Sequence, residues 1–268
     1  MYETLQPYIP TGALRDALIY YSTVIIVCQI GRLICDKTLS KKSQIYILAI
    51  EFLGTLQVTT TIYENAVIDI YLGRKWFALT LFITGMLFAY FNRGAFCGPF
   101  MPIEQYVYSK ISLFNFLQLL TAQFTAGYIS FRFARTIWLQ ATVQSEPHLN
   151  IIGIYEQCAF NHPYHIYLHL LFELFGSFTI RHVLTRSTSA TFSSFFMASV
   201  FTGVVTFVGD QALDPLVATT LFYGCRGLDF QHFMLIYWIS PVIGWLLSAY
   251  VDSISAKPKK PKSKKKTN

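Results

Sequence analysis

Charge is what this sequence has least of. Only 13% of its 268 residues are charged, where a soluble domain usually carries about a quarter. With 53% hydrophobic residues and a mean hydropathy of +0.43, that shortage excludes an ordinary water-solvated domain and points to lipid as the solvent. Cysteines are few as well. Cys28, Cys35, Cys97, Cys158 and Cys225 are odd in number, widely spaced and free of any CxxC pair, so neither a disulfide framework nor a zinc site is indicated. No Asn-x-Ser/Thr sequon occurs, and the opening MYETLQPYIPTGALRD lacks a basic region followed by a small-residue cleavage site, so a cleaved leader is not expected. The net charge of +7 belongs to the end of the chain. Seven lysines fall between Lys257 and Asn268, and without them 14 Lys and Arg face 14 Asp and Glu. A neutral body gives no reason to expect nucleic acid as a partner, and residues 252–268 are expected to form a solvated, disordered tail behind a membrane domain of residues 1–251.

What is present is a series of long apolar runs. Seven segments, roughly 17–35, 44–64, 76–92, 113–131, 166–184, 192–208 and 233–251, are long enough, or nearly so, to cross about 30 Å of hydrocarbon. Two shorter stretches, 98–108 and 214–224, each have a proline near their start. They are too short to span, but proline is well tolerated at a first helical position, so both can be half-helices that begin inside the membrane. The basic links DKTLSKK and RHVLTRSTSAT and the lysine tail all fall on one side of a seven-span chain. The positive-inside rule makes that side cytosolic.

The sequence also repeats itself. IEFLGT (Ile50 to Thr55) has a counterpart in FELFGS (Phe172 to Ser177), each with a single glutamate inside an apolar span. Gly98 lies 47 residues beyond Glu51, and Asp214 lies 41 residues beyond Glu173; each precedes a proline that opens a half-helix. Each unit is thus a glutamate-bearing span, a second span, a half-helix and a third span. Three spans per unit invert the second copy relative to the first, an arrangement that brings two broken helices together near the midplane. A half-helix start exposes unpaired N–H groups and about half a positive charge. Two such starts facing one another form a centre that repels cations and lets neutral polar molecules hydrogen-bond through. Glu51 and Glu173 are expected to face inward and brace the half-helices by accepting backbone N–H groups.

These residues resemble the aquaporin family. Gly94 to Phe100 (GAFCGPF) and Asp214-Pro215-Leu216 resemble its two asparagine-proline-alanine loops, and Tyr237-Trp238-Ile239-Ser240-Pro241-Val242-Ile243-Gly244 is similar to its last-span signature. Cys225, nine residues beyond Leu216, and the stretch Ile50 to Gln57 resemble the unorthodox intracellular superaquaporin branch, the aquaporin eleven and twelve group. The resemblance covers roughly residues 20 to 250. It implies an all-α membrane protein with an inverted repeat of six transmembrane helices plus two half-helices, preceded here by an additional N-terminal hydrophobic helix at 17–35 that orthodox members lack and that either spans the membrane or lies along its interface. It also implies a homotetramer in the lipid bilayer and a channel for water, glycerol or hydrogen peroxide in an intracellular membrane, with no enzymatic chemistry and no cofactor.

The chain departs from the family pattern at the pore positions, which by motif are Gly98, Pro99 and Phe100 in one half and Asp214, Pro215 and Leu216 in the other. Gly98 and Asp214 replace the two asparagines. Glycine brings no side-chain donor, and an ionised aspartate only accepts. Val217 stands where orthodox channels carry the arginine of the selectivity filter, with Gln211 and Thr202 as further filter candidates by spacing. A wider, less polar and less cation-excluding constriction is expected. The same losses are compatible with a second reading, a non-conducting aquaporin-fold interaction protein of the endoplasmic reticulum. Lys265 and Lys266, three and four residues from the end, resemble a dilysine retrieval signal for that compartment. Cys158, His162, His165 and His169 lie close together but lack a tight metal-ligand pattern, and a buried structural thiol is the favoured reading of Cys225.

Overall fold

A computed structural model describes residues 12–140, 143, 145–159, 165–209 and 212–255. The described residues are almost wholly helical. In chain order they form α1 (Ala13–Thr38), α2 (Gln44–Leu72), α3 (Arg74–Phe91), α4 (Phe100–Val107), α5 (Leu113–Trp138), α6 (Glu146–Gln157), α7 (Ile166–Leu184), α8 (Ala190–Phe207), α9 (Pro215–Phe222) and α10 (Phe230–Ser255). Local sequence sets several of the boundaries. Ser43, Ser112 and Ser189 each accept the backbone N–H three residues on, at 3.2 Å, and so cap α2, α5 and α8. Gly73, at a φ of 85°, makes the sharp link between α2 and α3 that a residue with a Cβ rarely allows.

By length and composition, α1, α2, α8 and α10 are apolar enough to cross a membrane. The other three long helices carry more polarity: α3 opens on Arg74-Lys75, α5 holds Gln118, Gln123 and Arg132, and α7 holds His169, Glu173 and Arg181. Within the bundle these groups need not face lipid, since Gln123, His169, Glu173 and Arg181 are all buried.

The predicted seven spans and two half-helices all have counterparts, with instructive differences at their ends. α2 runs to Leu72, beyond the expected end at 64, because Glu64 and Asn65 find partners inside the protein. Trp138 Nε1 donates to Glu64 at 2.7 Å, His148 Nε2 approaches it at 3.1 Å, and the Tyr21 hydroxyl lies 2.5 Å from Asn65 Oδ1. α6 was not anticipated. It is an amphipathic 12-residue helix with Pro147 in its first turn, too short for any search for spanning runs, and it buries His148, Ile151 and Ile152.

The extra N-terminal helix is an integral part of the bundle. α1 runs antiparallel along α2 for nearly its whole length. The Tyr20 hydroxyl donates to the Thr60 carbonyl at 2.8 Å and Arg32 donates to Gln57 Oε1 at 2.7 Å, while Gly31 is bare enough for Leu53 to lie against it. The two repeat units are α2 to α5 and α7 to α10. α2 packs on α5, α7 packs on α10, and α3 meets α8 across the units. In the last helix, residues Leu235–Ile239 form a π-helical turn just before Pro241. Such a turn takes up the missing N–H and the ring clash that proline imposes on a helix interior.

Candidate functional site

Each half-helix is reached through a loop that a buried glutamate holds in place. In the first unit, Glu51 Oε2 accepts the Phe96 N–H at 2.9 Å and Oε1 accepts the Cys97 N–H at 2.7 Å. Gln123 of α5 adds a third donor, its Nε2 lying 2.8 Å from Glu51 Oε1 and 2.9 Å from the Gly98 carbonyl. In the second unit, Glu173 Oε1 accepts the Ala212 N–H at 2.9 Å, and both carboxylate oxygens receive the Leu213 N–H at 3.1–3.2 Å. Both glutamates are buried, Glu51 at 2% exposure and Glu173 at 0%. Each replaces water for backbone donors that a loop inside a membrane could not otherwise satisfy.

The symmetry extends to the backbone. Cys97 and Leu213, the residues just before each half-helix opening, have φ angles of 60° and 52°, left-handed values that non-glycine residues seldom adopt. Three residues beyond each glutamate stands a glycine, Gly54 or Gly176. A methyl group on Gly54 would overlap Cys97 Sγ, and one on Gly176 would overlap a Leu213 methyl. The repeated Glu-x-x-Gly pattern therefore holds and admits the same strained loop twice.

The two tips meet. A Cβ on Gly98 would overlap Asp214 Oδ2, so glycine there is a condition of the close approach. Asp214 Oδ1 meanwhile accepts the N–H groups of Leu216 and Val217 at 2.8 and 3.1 Å, the geometry of an N-cap with Pro215 at the first helical position. Pro99 and Pro215 are both buried. From this junction the half-helices leave in opposite directions. α4 runs toward the ends of α7 and α10, where Glu104 is held by Arg181 at 2.8 Å and by Trp245 Nε1 at 2.7 Å. α9 runs toward the far end of α2, where the Tyr63 hydroxyl donates to the Thr220 carbonyl at 3.0 Å.

The side chains that follow the two prolines turn sideways into the bundle. Phe100 stacks on Trp245 with ring centroids 4.5 Å apart, and Leu216, 1% exposed, lies against Gly127 of α5. Asp214 and Val217 are half-buried. Thr202 sits half-buried on α8; no hydrogen bond or ring contact links it to Val217. Gln211, His162, Lys265 and Lys266 lie outside the described residues. Tyr237 and Trp238 of the last-span motif fall in the π-helical turn; Trp238 donates to Thr219 Oγ1 of α9 at 3.1 Å and stacks on Phe124. Gly244 brings α10 into contact with the Leu174 carbonyl of α7, where a methyl group would not fit.

Cysteine pairing departs from the sequence expectation. Cys225 forms a disulfide with Cys158, 67 residues away in sequence, and the Arg226 N–H donates to the Cys158 carbonyl at 2.9 Å. The bond fastens the segment between α6 and α7 to the end of α9. Spacing could not reveal this pair, because three other cysteines, Cys28, Cys35 and Cys97, remain free. A Cys158 so engaged is no thiolate ligand, and among the described residues no group of three or more His, Cys, Asp or Glu side chains is arranged to hold a metal ion. Sequence reasoning also passed over Gln123. A glutamine inside an apolar span was the available signal.

No protein-family model matches the chain. It is 32% identical over 255 residues to a Caenorhabditis elegans protein named as aquaporin-10, covering 92% of this chain and 89% of that protein. It is 25% identical over 264 residues to aquaporin-11 of Milnesium tardigradum, covering 97% of this chain and 92% of that protein.

Proposed function

The chain belongs to the aquaporin family, membrane channels for water or small solutes rather than enzymes, and on that premise we propose that it passes water together with glycerol or hydrogen peroxide across an intracellular membrane. The observation that carries this reading is the junction at Gly98 and Asp214, two half-helix starts held tip to tip by Glu51 and Glu173. The positive ends of two half-helices that face one another favour a neutral polar solute over a cation.

Val217, in the place of a filter arginine, supports a solute range broader than water alone, since an aliphatic side chain removes both bulk and a fixed charge. Thr202 and Gln211 complete the proposed filter. Glu51 and Glu173 act as braces, while Phe100 and Leu216 anchor the half-helices to α10 and α5. The side on which α1 ends and α2 begins is cytosolic in this reading. The disulfide of Cys158 and Cys225 then faces a compartment where such bonds persist. Lys265 and Lys266 would act on the cytosolic side as a retrieval signal to the endoplasmic reticulum. The chain assembles as a homotetramer in the bilayer, its membrane domain reaching the end of α10 at Ser255 rather than the expected 251, with the lysine-rich tail following.

Stopped-flow swelling of vesicles that hold the purified protein tests the reading, with peroxide and glycerol uptake measured on the same preparation. Water flux above empty vesicles with measurable uptake of a larger solute is the expected result. No flux of any solute would leave the non-conducting interaction protein as the better account.

A further inference from the structure

α1 carries a side chain that its position makes costly. Arg32 is fully buried, six residues before the end of a helix apolar enough to cross a membrane. Its Nη1 donates to Gln57 Oε1 at 2.7 Å and its Nη2 reaches the Leu53 carbonyl at 3.5 Å, while Nε has no hydrogen-bond partner among the described residues. It forms no ion pair with any described carboxylate. Asp36, one turn further along α1, is engaged by Arg93 at 2.9 Å and by the Tyr46 hydroxyl at 2.8 Å. The other buried arginine, Arg181, is neutralised by Glu104 and Asp252. An uncompensated cation at membrane depth marks a functional group by default, because folding alone gains nothing from leaving it unpaired.

The direction in which Arg32 points is informative. Nη2 comes within 4.0 Å of where a Cβ on Gly54 would lie, and the same position is overlapped by Cys97 Sγ and Ala95 Cβ. The guanidinium thus looks across bare Gly54 at the loop that ends in the Gly98 tip. Three acidic side chains, Glu51, Glu173 and Asp214, surround the junction of the tips, and Val217 brings no cation to it.

We propose that Arg32 supplies, from behind the pore wall, the positive field that excludes protons and metal cations at the Gly98–Asp214 junction, which makes α1 part of the selectivity apparatus. This role rests on the channel reading above. Arg32 touches no solute; it determines specificity through its charge, acting through low-dielectric protein in which a field is poorly screened.

The experiment uses vesicles of the full-length protein, with swelling and dye-reported proton and potassium fluxes measured on each preparation and expressed as a ratio of ion to water flux. Arg32→Gln is expected to raise that ratio about tenfold, the order of effect for one unit charge across roughly a nanometre of protein interior. Arg32→Lys should stay near wild type. Gln57→Met, which removes the hydrogen bond and keeps the charge, should also remain ion-tight. Adding Asp214→Asn to Arg32→Gln should bring the ratio back down. A merely structural Arg32 predicts the opposite pattern, with Gln57→Met leaking as Arg32→Gln does, and that result overturns the proposal. An unchanged ratio in Arg32→Gln overturns it too while leaving the channel reading intact. A wild-type protein that passes no water removes both. Should Arg32→Gln fail to reach the membrane, Arg32→Met takes its place as the charge-removing variant: a raised ratio there, with Arg32→Lys and Gln57→Met tight, supports the field, and an unchanged ratio overturns it.

Discussion

Gly98→Ala gives the sharpest test of the tip-to-tip junction. The added methyl group would fall on Asp214 Oδ2, and the carboxylate cannot swing aside freely because its other oxygen caps α9 through Leu216 and Val217 at 2.8 and 3.1 Å. Forcing an extra methyl into a packed site costs about 1–3 kcal/mol. Asp214→Ala alone costs about 1 kcal/mol for the lost cap, plus a share of the roughly 1–3 kcal/mol for each buried N–H left without an acceptor. In the double variant the methyl meets no carboxylate, so most of the Gly98→Ala penalty should vanish. The two changes should therefore couple by about 1–2 kcal/mol, well above the few tenths expected of independent sites. Equilibrium unfolding in mixed detergent micelles measures all four proteins of the cycle, with water permeability of each in vesicles as a second readout. Additive destabilisation would mean that the two residues do not touch, and the reading of two converging half-helices would fail with it.

Three further outcomes are expected. Val217→Arg should reduce glycerol or peroxide uptake more than water flux, and equal effects on both would remove Val217 from the filter. Cys158→Ser and Cys225→Ser should destabilise to the same extent, with the double variant no worse than either single. Closing a 67-residue separation sets an upper value of about 4 kcal/mol, and unequal or additive effects in denaturant unfolding would contradict the pairing. His148 should make stability fall as pH rises. Burial alone would lower its pKa, but the hydrogen bond and charge of Glu64, helped by the Val143 carbonyl and Asp16, outweigh burial and hold it above the ordinary 6.5. A group raised in the folded state stabilises fully below about pH 6.5 and loses that contribution as pH climbs through the raised value. His148→Gln should accordingly flatten the melting temperature above pH 6.5, and an unaltered slope would show that another group titrates there.

The architecture was legible because the membrane constrains it so strongly. Backbone polar groups in lipid must be satisfied internally, so long apolar runs could be assigned as helices, and the two short ones opened by proline could only be half-helices. The Glu-x-x-Gly repeat was visible too, although the reason for its glycine was not: that needs the contact of Gly54 with Cys97 and of Gly176 with Leu213. The elements that escaped were governed by contacts distant in sequence. Glu64 reads as a loop residue until Trp138 and His148, 74 and 84 positions away, are seen to hold it. Cys158 and Cys225 reside on segments that only the folded bundle brings together.

These long-range contacts converge on a single structural theme. At the proposed pore positions this chain carries Gly98, Asp214 and Val217, none of which offers a side-chain donor when the aspartate is ionised. The groups that hold its junction together stand one layer further out. Gln123 reaches Glu51 and Gly98 from α5, and Trp245 supports both Phe100 and Glu104 from α10. Arg32 approaches from α1, a helix outside the two repeats. A side chain such as Val217 can then vary while the approach of the tips is kept, because the geometry is fixed by bare Gly98 and by buried hydrogen bonds, each costly to leave unmade. The second layer should therefore tolerate substitution less than the first: Gln123→Leu, which strips a donor from both Glu51 and the Gly98 carbonyl, should lower unfolding stability more than Val217→Ala does.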